Sequence, residues 1–385
     1  MTLEPPSATA DAYARVESGL RQQWFYGREI ILCWTYSRNG IDFLSVPYYL
    51  IGALIASESD GSDDASGTSI RDILRGSRYA SEASLNKIKQ LQGIRENTVT
   101  FPSTLNHADI DTDVIDELMR RYSISYVENH AVALFDIVGF SRYSPFDQVT
   151  LLSSLSYSIN AAYYKLQEQD INVNFARTTT GDGFYIWTKE LTIENNINLY
   201  NLVQIILADN AIARTRSYGH TAPVLKTAFH IGNYYEFHQP EALQPTPYSY
   251  IVGDVTIELA RIIESAMPGQ ILIGDFNCEL PSPENPDQYI HVDTINFIEI
   301  LKQKVNELKG MSISEKEIAS IVCYLTGKRI DDNEFAISRY RVTDKHEYQR
   351  TVYNAKVNIY RKDQPPVFLG IQEEEVQTSA RLMRI

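Results

Sequence analysis

The tripeptide Gly181-Asp182-Gly183 lies between two runs rich in β-branched and aromatic residues, in the segment INVNFARTTTGDGFYIWT (171–188). Asp-Gly between such runs is a strong signal for a tight hairpin, because both residues tolerate the positive φ angles that these turns require. This feature constrains the fold most, since it predicts two adjacent antiparallel strands from local sequence alone.

The segments on either side of this hairpin predict an alternation of strands and helices. Upstream, HAVALFDIVGF (130–140) is an apolar run that ends at a glycine, as a buried strand does. Ser144 and Pro145 then suit the N-cap and the first turn of a helix. Downstream follow a helix, a strand, another helix and the short strand ILIGDF. This βαββαβ order predicts an α+β fold with a ferredoxin-like sheet and helices on one face.

The length of 385 residues predicts two structural units. Residues 1–126 show apolar residues at three- and four-residue spacing, so we expect a mostly helical N-terminal region, with a mobile acidic loop at 57–69. We assign 127–375 to a second domain, with a helical insertion at about 286–332 and a strand-rich C-terminal extension that could return to the sheet. Residues 376–385 are expected to form a tail.

The net charge of −14 argues against non-specific binding along nucleic acid. Cys33, Cys278 and Cys323 are odd in number and contain no CxxC pair, so neither a disulfide framework nor a zinc site is indicated. The first residues lack the pattern of a secretory signal, and the most apolar stretch, 46–56, is shorter than the roughly 20 residues that span a bilayer. We therefore expect a cytoplasmic protein that binds no membrane.

Two carboxylates are the candidate metal ligands. Asp136 closes a predicted buried strand and Asp182 lies in the hairpin turn. Taken singly, each has a structural explanation, as a cap or a turn residue. In the predicted topology, however, they converge at one sheet edge. Mg²⁺ and Mn²⁺ bind through few carboxylates plus phosphate oxygens, and two such ions would suit the cyclisation of a nucleoside triphosphate.

Four segments in order, FDIVGFS, TTTGDGFYI, KTAFHIGNYY and YIVGDVTIELARIIESAMPGQILI, resemble the motifs of the class III nucleotidyl cyclases, the adenylate and guanylate cyclases. The resemblance spans about 127–276. It implies that Asp136 and Asp182 hold two Mn²⁺ or Mg²⁺ ions, with the backbone carbonyl of Ile137. It also implies phosphate binding by Gly139, Phe140 and Ser141, and a homodimer with active sites at the subunit interface.

One position departs from the family's GxxVNxxxR pattern. Ile257 stands where the family has an Asn that orients the ribose. Arg261 keeps the place of the Arg that stabilises the transition state, eight residues after Gly253. An Arg there is a fixed positive fork for developing phosphate charge. The alternative is an ordinary Arg on a helix surface.

The residues in the family's base-reading positions are Thr178 and Tyr250, and they match neither the adenine nor the guanine pair. The neighbouring Arg177 is either a donor to a base carbonyl or an outward-facing strand residue. With the phrase FARTTTGDGFYIW, this makes the chain similar to the bacterial pyrimidine cyclases of Pycsar antiphage systems.

That similarity implies synthesis of cyclic UMP or cyclic CMP, with UTP favoured over CTP, as a messenger for a downstream effector in antiphage defence. Lys345 is the candidate for the family's triphosphate-binding lysine, or is a solvated surface lysine. Two other functions stay open: an adenylate cyclase with a different base pocket, and a catalytically degenerate nucleotide-binding homologue.

Overall fold

The computed structural model divides into two compact units. The N-terminal unit consists of residues 1–127 and 235–251, and the C-terminal unit of 128–234 and 252–385. The described residues are 8–59, 69–103, 105, 107–219, 221–240, 247–285, 287–331, 334–344, 347–379 and 381–385. Within those ranges, no helix combines the length and the apolar character that a membrane span needs.

The N-terminal unit is built on a three-stranded antiparallel sheet in the order β1-β2-β3. Its strands are β1 (Glu29–Ser37), β2 (Gly40–Pro47) and β3 (Arg95–Thr100). Its helices are α1 (Ala8–Trp24), α2 (Tyr48–Ser59), α3 (Ile70–Arg75), α4 (Glu82–Ile88) and α5 (Thr112–Arg120), with a 3₁₀ turn at His107–Asp109.

Both faces of this small sheet are buried. Trp34 packs in one core with α1 and α5, and Cys33, its neighbour on β1, packs in a second core with α2, α3 and α4. Helices do make up most of the regular structure of this region, but the expectation left out the sheet that lies between two helical layers. The sequence pattern does not predict these strands because a strand buried on both faces has a continuous apolar sequence, which periodicity cannot distinguish from a buried helix.

The C-terminal unit has a mixed α+β fold with a large sheet. Its helices are α6 (Pro145–Gln167), α7 (Ile193–Arg216), α8 (Asp254–Ser265), α9 (Thr294–Lys304) and α10 (Glu373–Val376), with 3₁₀ turns at Phe140–Arg142 and Val305–Leu308. The strands, three of which begin or end in the N-terminal unit, are β4 (Ile124–Ile137), β5 (Phe175–Thr179), β6 (Gly183–Thr188), β7 (Leu225–Pro240), β8 (Pro247–Val252), β9 (Ile271–Gly274), β10 (Asn277–Pro281), β11 (Tyr289–Asp293), β12 (Ser312–Ile313), β13 (Lys316–Leu325), β14 (Gly327–Asp331), β15 (Glu334–Ile337), β16 (Tyr340–Thr343), β17 (Gln349–Arg361), β18 (Gln364–Leu369) and β19 (Leu382–Arg384).

The main sheet runs in the order β12-β13-β17-β9-β7-β4-β6-β5. Strands β16 and β18 also pair with β17, β19 pairs with β16, and β8 pairs with β7. The helices α6 and α7 contribute much of the apolar core on this sheet. Two separate hairpins, β10-β11 and β14-β15, lie outside the main sheet.

Several local predictions are confirmed. The strand that carries Asp136 is β4, and the Gly-Asp-Gly turn joins the antiparallel strands β5 and β6. Ser144 caps α6, because its side chain accepts a hydrogen bond from the Asp147 amide, and Pro145 occupies the first turn. These features are encoded locally, so short-range patterns sufficed to find them.

The C-terminal segments need two corrections. Among the described residues of 286–332, only α9 and the following 3₁₀ turn are helical, whereas β13 alternates buried and exposed residues and pairs with β17 in the main sheet. The segment is therefore part of the sheet and not a helical insertion. Residues 376–385 are not a plain tail either, since they contain β19, which pairs antiparallel with β16. Most of the acidic loop predicted at 57–69 lies outside the described residues.

Candidate active site

Two neighbouring strands bring the aspartates together. In the antiparallel register of β4 and β6, Asp136 lies opposite Gly183. Just beyond this pair, the Ile137 amide donates a hydrogen bond to the carbonyl oxygen of Asp182 at 3.0 Å. Both carboxylates are consequently held at the same end of the same strand pair.

Gly183 permits this close approach. A β-carbon there would lie 1.8 Å from the carbonyl oxygen of Phe135, so any side chain would push β6 away from β4. The turn is fixed on its other side by Thr180, whose hydroxyl donates to Asp182 Oδ1 at 3.1 Å. The second Gly of Gly-Asp-Gly therefore serves the spacing of the two carboxylates.

The two carboxyl groups interact electrostatically. Burial and, secondly, the charge of Asp182 raise the pKa of Asp136 to about 6, while nearby Lys226 acts in the opposite direction. Like charges held together disfavour the ionised form of one of them. A divalent cation between the carboxylates would remove this repulsion.

The donor set fits Mg²⁺ or Mn²⁺ better than zinc. Among the described residues there is no group of three or more His, Cys, Asp or Glu side chains placed to hold a metal. Two carboxylates and a carbonyl are a poor zinc site, but they match hard cations that keep waters and take the remaining oxygens from a phosphate substrate. Asp136, Asp182 and the carbonyl of Ile137 are thus the residues that could hold the ions.

The turn after β4 offers backbone donors. Gly139 adopts φ +67°, in the left-handed region, and a 3₁₀ turn follows at Phe140–Arg142. This turn is closed by the Arg142 amide, which donates to the Gly139 carbonyl at 2.9 Å. Within the described chain, the amides of Gly139, Phe140 and Ser141 donate to no protein acceptor. Exposed amides of this kind can bind phosphate oxygens.

A cleft of about 610 Å³ lies beside Asp136 in the C-terminal unit, and Asp182 is not among the residues that line it. Asp136 and Arg261 both line it, so the structure brings these two predicted residues to one cavity. The Arg261 guanidinium lies 3.6 Å from both Asp344 and Glu264. Asp344 is itself almost fully buried and pairs with Arg350 at 3.0 Å.

Sequence reasoning missed three cations in this cleft, Lys226, Arg341 and Arg381. Lys226 has a local signal, since it is a charged residue at the start of the apolar strand β7. The two arginines have none, because they lie in β16 and next to β19, far along the chain from Asp136.

The predicted base-reading residues are not brought into this cleft. Thr178 lies opposite Tyr185 in the β5-β6 register, and the Tyr185 hydroxyl donates to the Thr256 carbonyl at 3.1 Å. Arg177 lines a different hollow, beside Tyr163, and its guanidinium lies over the Phe184 ring at 5.8 Å. Its role at the base therefore stays a prediction.

Of three further positions singled out in the sequence, two do not line the cleft that Asp136 and Arg261 share. Tyr250 belongs to the N-terminal unit, where its ring stacks on Phe237 with centroids 5.9 Å apart. Ile257 lies on α8 with 54% of its surface exposed, so burial in the core does not explain an isoleucine at this position. Lys345 lies outside the described residues.

Comparisons with known proteins give only distant structural likenesses. No protein-family profile matches the sequence, and no curated protein matches it. The chain is similar to the guanylate cyclase domain of RhGC from Catenaria anguillulae in complex with GTP, at 14% identity and a TM-score of 0.36, over 62% of this chain and 98% of that one.

It is also similar to the adenylyl cyclase CyaB from P. aeruginosa, at 12% identity and a TM-score of 0.35, over 63% of this chain and 100% of that one. A bacterial light-regulated adenylyl cyclase matches at 15% identity and a TM-score of 0.29, over 48% of this chain and 100% of that one. Likenesses this distant do not identify a function, which has to be argued from the residues of the site.

Proposed function

We propose that this chain is a nucleotidyl cyclase that converts a nucleoside triphosphate to a 3′,5′-cyclic monophosphate and pyrophosphate. The pairing of Asp136 with Asp182 carries the proposal. Burial and, secondly, the charge of Asp182 raise the pKa of Asp136 and so make its ionised form costly, and divalent cations would offset that cost. The strand order β7-β4-β6-β5, with α6 and α7 as connections, supports a ferredoxin-like assignment for this part of the sheet.

The chemistry divides among the residues of the site. Asp136, Asp182 and the Ile137 carbonyl would hold two Mg²⁺ or Mn²⁺ ions. When bound, these ions supply activation of the ribose 3′-hydroxyl and neutralisation of the leaving pyrophosphate. The amides after β4, which have no protein acceptor among the described residues, bind phosphate oxygens in the turn that the left-handed Gly139 begins.

Arg261 has the second role. Its guanidinium is only 22% exposed and lines the same cleft as Asp136. A rigid, permanently charged fork in a partly desolvated cleft stabilises negative charge that develops on the α-phosphate. To do so, Arg261 has to give up part of its contact with Asp344.

We infer that the substrate is a pyrimidine nucleotide, with UTP favoured over CTP. The inference is supported by Thr178 and Tyr250. They match neither the adenine nor the guanine pair of base-reading residues in the class III nucleotidyl cyclases, which the sequence motifs resemble. We further propose a homodimer with active sites at the subunit interface, and a role of the cyclic product as a messenger in antiphage defence. These two proposals depend on the resemblance of the sequence motifs.

A substrate screen tests the enzyme and its specificity together. The full chain is incubated with ATP, GTP, CTP or UTP and Mn²⁺, and the products are separated by chromatography. We expect cyclic UMP or cyclic CMP and pyrophosphate from the wild type, and on the order of a hundredfold less, or none, from Asp182→Asn. The absence of any cyclic product, in protein shown to bind Mn²⁺, would contradict the enzyme proposal, and cyclic AMP alone would replace the pyrimidine by adenine.

A second candidate function is a nucleotide-binding protein without turnover. It is favoured by the exposed Ile257, which cannot hydrogen-bond a ribose, and by the contact of Arg261 with Asp344. In that case the four triphosphates would bind with Mn²⁺ in calorimetry, and no product would form.

A further inference from the structure

The cleft beside Asp136 has a wall that comes from the end of the chain. Arg341 on β16 and Arg381, just before β19, line the same cavity as Asp136 and Lys226. In the antiparallel pairing of the two strands, Arg341 lies opposite Met383. Arg381 and Met383 therefore form part of the wall of the cleft.

We propose that Arg341 and Arg381 form a subsite for the terminal phosphates of the substrate. The proposal rests on the cyclase function given above and deepens it by naming residues that bind the β- and γ-phosphates. Neither arginine belongs to the motifs that first indicated a cyclase.

The charge of the cleft supports an anionic ligand. Its lining carries four cationic side chains, Lys226, Arg261, Arg341 and Arg381, against the acids Asp136, Glu264 and Asp344. Asp344 is already paired with Arg350 at 3.0 Å, which weakens its effect on the cavity. A positive cavity in a chain of net charge −14 is a local exception that concentrates anions.

The guanidinium of Arg341 has no protein partner among the described residues. The residue is half-buried and its backbone belongs to the sheet, but within the described ranges its side chain makes no hydrogen bond and no ion pair. Holding a guanidinium partly out of water without an anion is costly. A phosphate in the cleft would supply the missing acceptor, in the fork-like geometry that arginine favours.

Arg381 is fixed at the rim of the cleft. Its Nη1 donates to the carbonyl oxygen of Glu264 at 2.7 Å, near the end of α8. This bond ties the chain terminus to the helix that carries Arg261. A guanidinium has five N–H donors, so one bond to a carbonyl leaves others for phosphate oxygens.

Binding of inorganic tripolyphosphate to the full chain, measured by calorimetry with Mn²⁺, tests the subsite without requiring turnover. Arg341→Gln and Arg381→Gln are each expected to weaken binding about tenfold or more, since each removes a charge-assisted contact. Arg384→Gln is the matched control: it removes the same charge from β19 but does not line the cleft. Arg341→Lys should restore part of the affinity.

The kinetic readout separates this subsite from the proposed enzyme activity. In an active wild type, the two cleft variants should raise KM for the triphosphate more than they lower kcat, with Arg384→Gln unchanged. If the wild type turns over and the cleft variants bind tripolyphosphate as Arg384→Gln does, the subsite is wrong and the cyclase stands. If the wild type makes no product, and tripolyphosphate affinity falls in the cleft variants but not in Arg384→Gln, the cyclase is wrong and the subsite stands. If Arg381 has only a structural role, Arg381→Gln should lower the melting temperature without changing the affinity for tripolyphosphate. This result would also overturn the inference.

Discussion

The amide of Ile137 donates to the carbonyl of Asp182 over 3.0 Å, and this backbone bond joins the end of the strand that carries Asp136 to the turn that carries Asp182. It lies one residue beyond the opposed pair Asp136 and Gly183, at the point where β4 ends and β6 begins. The carboxylates are therefore positioned by strand pairing, which is rigid, and not by the loop alone.

The aspartates should be needed for metal binding but not for folding. Asp136→Asn and Asp182→Asn are each expected to reduce turnover on the order of a hundredfold or more, the scale found when one charge-stabilising group is lost. When a chelator has removed the metal, Asp136→Asn should be at least as stable as the wild type, because the change removes the repulsion between the carboxylates of Asp136 and Asp182. Thermal melting with and without Mn²⁺ measures both effects.

Asp170→Asn is the control for this experiment. Asp170 is exposed and has φ +56°, a conformation that Asn also tolerates, so neither activity nor metal-induced stabilisation should change. An Asp136→Asn protein that kept the full Mn²⁺-dependent rise in melting temperature would contradict the metal assignment.

Gly183→Ala should separate the strands that carry the aspartates. The added methyl group would meet the Phe135 carbonyl at 1.8 Å, so β6 has to shift, at a cost of about 1–3 kcal/mol. We expect a lower urea midpoint together with weaker Mn²⁺ binding. Gly52→Ala on α2 is the matched control, because a β-carbon there meets nothing within 4 Å; its midpoint should stay the same or rise. Equal midpoints for the two variants would refute the close-approach argument.

The ion pairs behind Arg261 should be energetically coupled. Arg350 donates to Glu258 at 2.6 Å and to the buried Asp344 at 3.0 Å. A double-mutant cycle of Arg350→Gln and Glu258→Gln, followed by urea unfolding, is expected to give a coupling energy of about 1–3 kcal/mol.

The exposed pair Lys302 and Glu299, on α9, provides the comparison. Its two side chains are 40% and 55% exposed, so solvent screens the pair and its coupling should stay below about 1 kcal/mol. If both cycles gave the same small value, the pairs behind Arg261 would be no more than surface contacts.

The three thiols should be protected until the protein unfolds. Burial raises the pKa of Cys33, Cys278 and Cys323 to about 12 each, and all three are free. At pH 8 the thiolate fraction is then roughly a thousandfold below that of a cysteine of ordinary pKa, and the thiolate is the reactive form. Mass spectrometry after iodoacetamide treatment should show no modification in the native protein and three in guanidinium. Rapid alkylation of a native thiol would contradict the burial.

The sequence by itself determined the local elements of the site. The Gly-Asp-Gly turn, the Ser144 cap with Pro145, and the position of Asp136 near the end of a strand are all short-range features, and each is present in the structure. Such features depend on φ preferences and on neighbours a few residues away, so a pattern reveals them.

Only the tertiary structure decided what surrounds the aspartates. Periodicity did not reveal the N-terminal sheet, because strands covered on both faces carry no alternation. It did not place Lys226, Arg341 and Arg381 in one cleft with Asp136, because their approach depends on the order of strands distant in sequence. Strand order is set by the burial of whole faces and not by any local preference, so the charges of the site emerge only when the sheet is assembled.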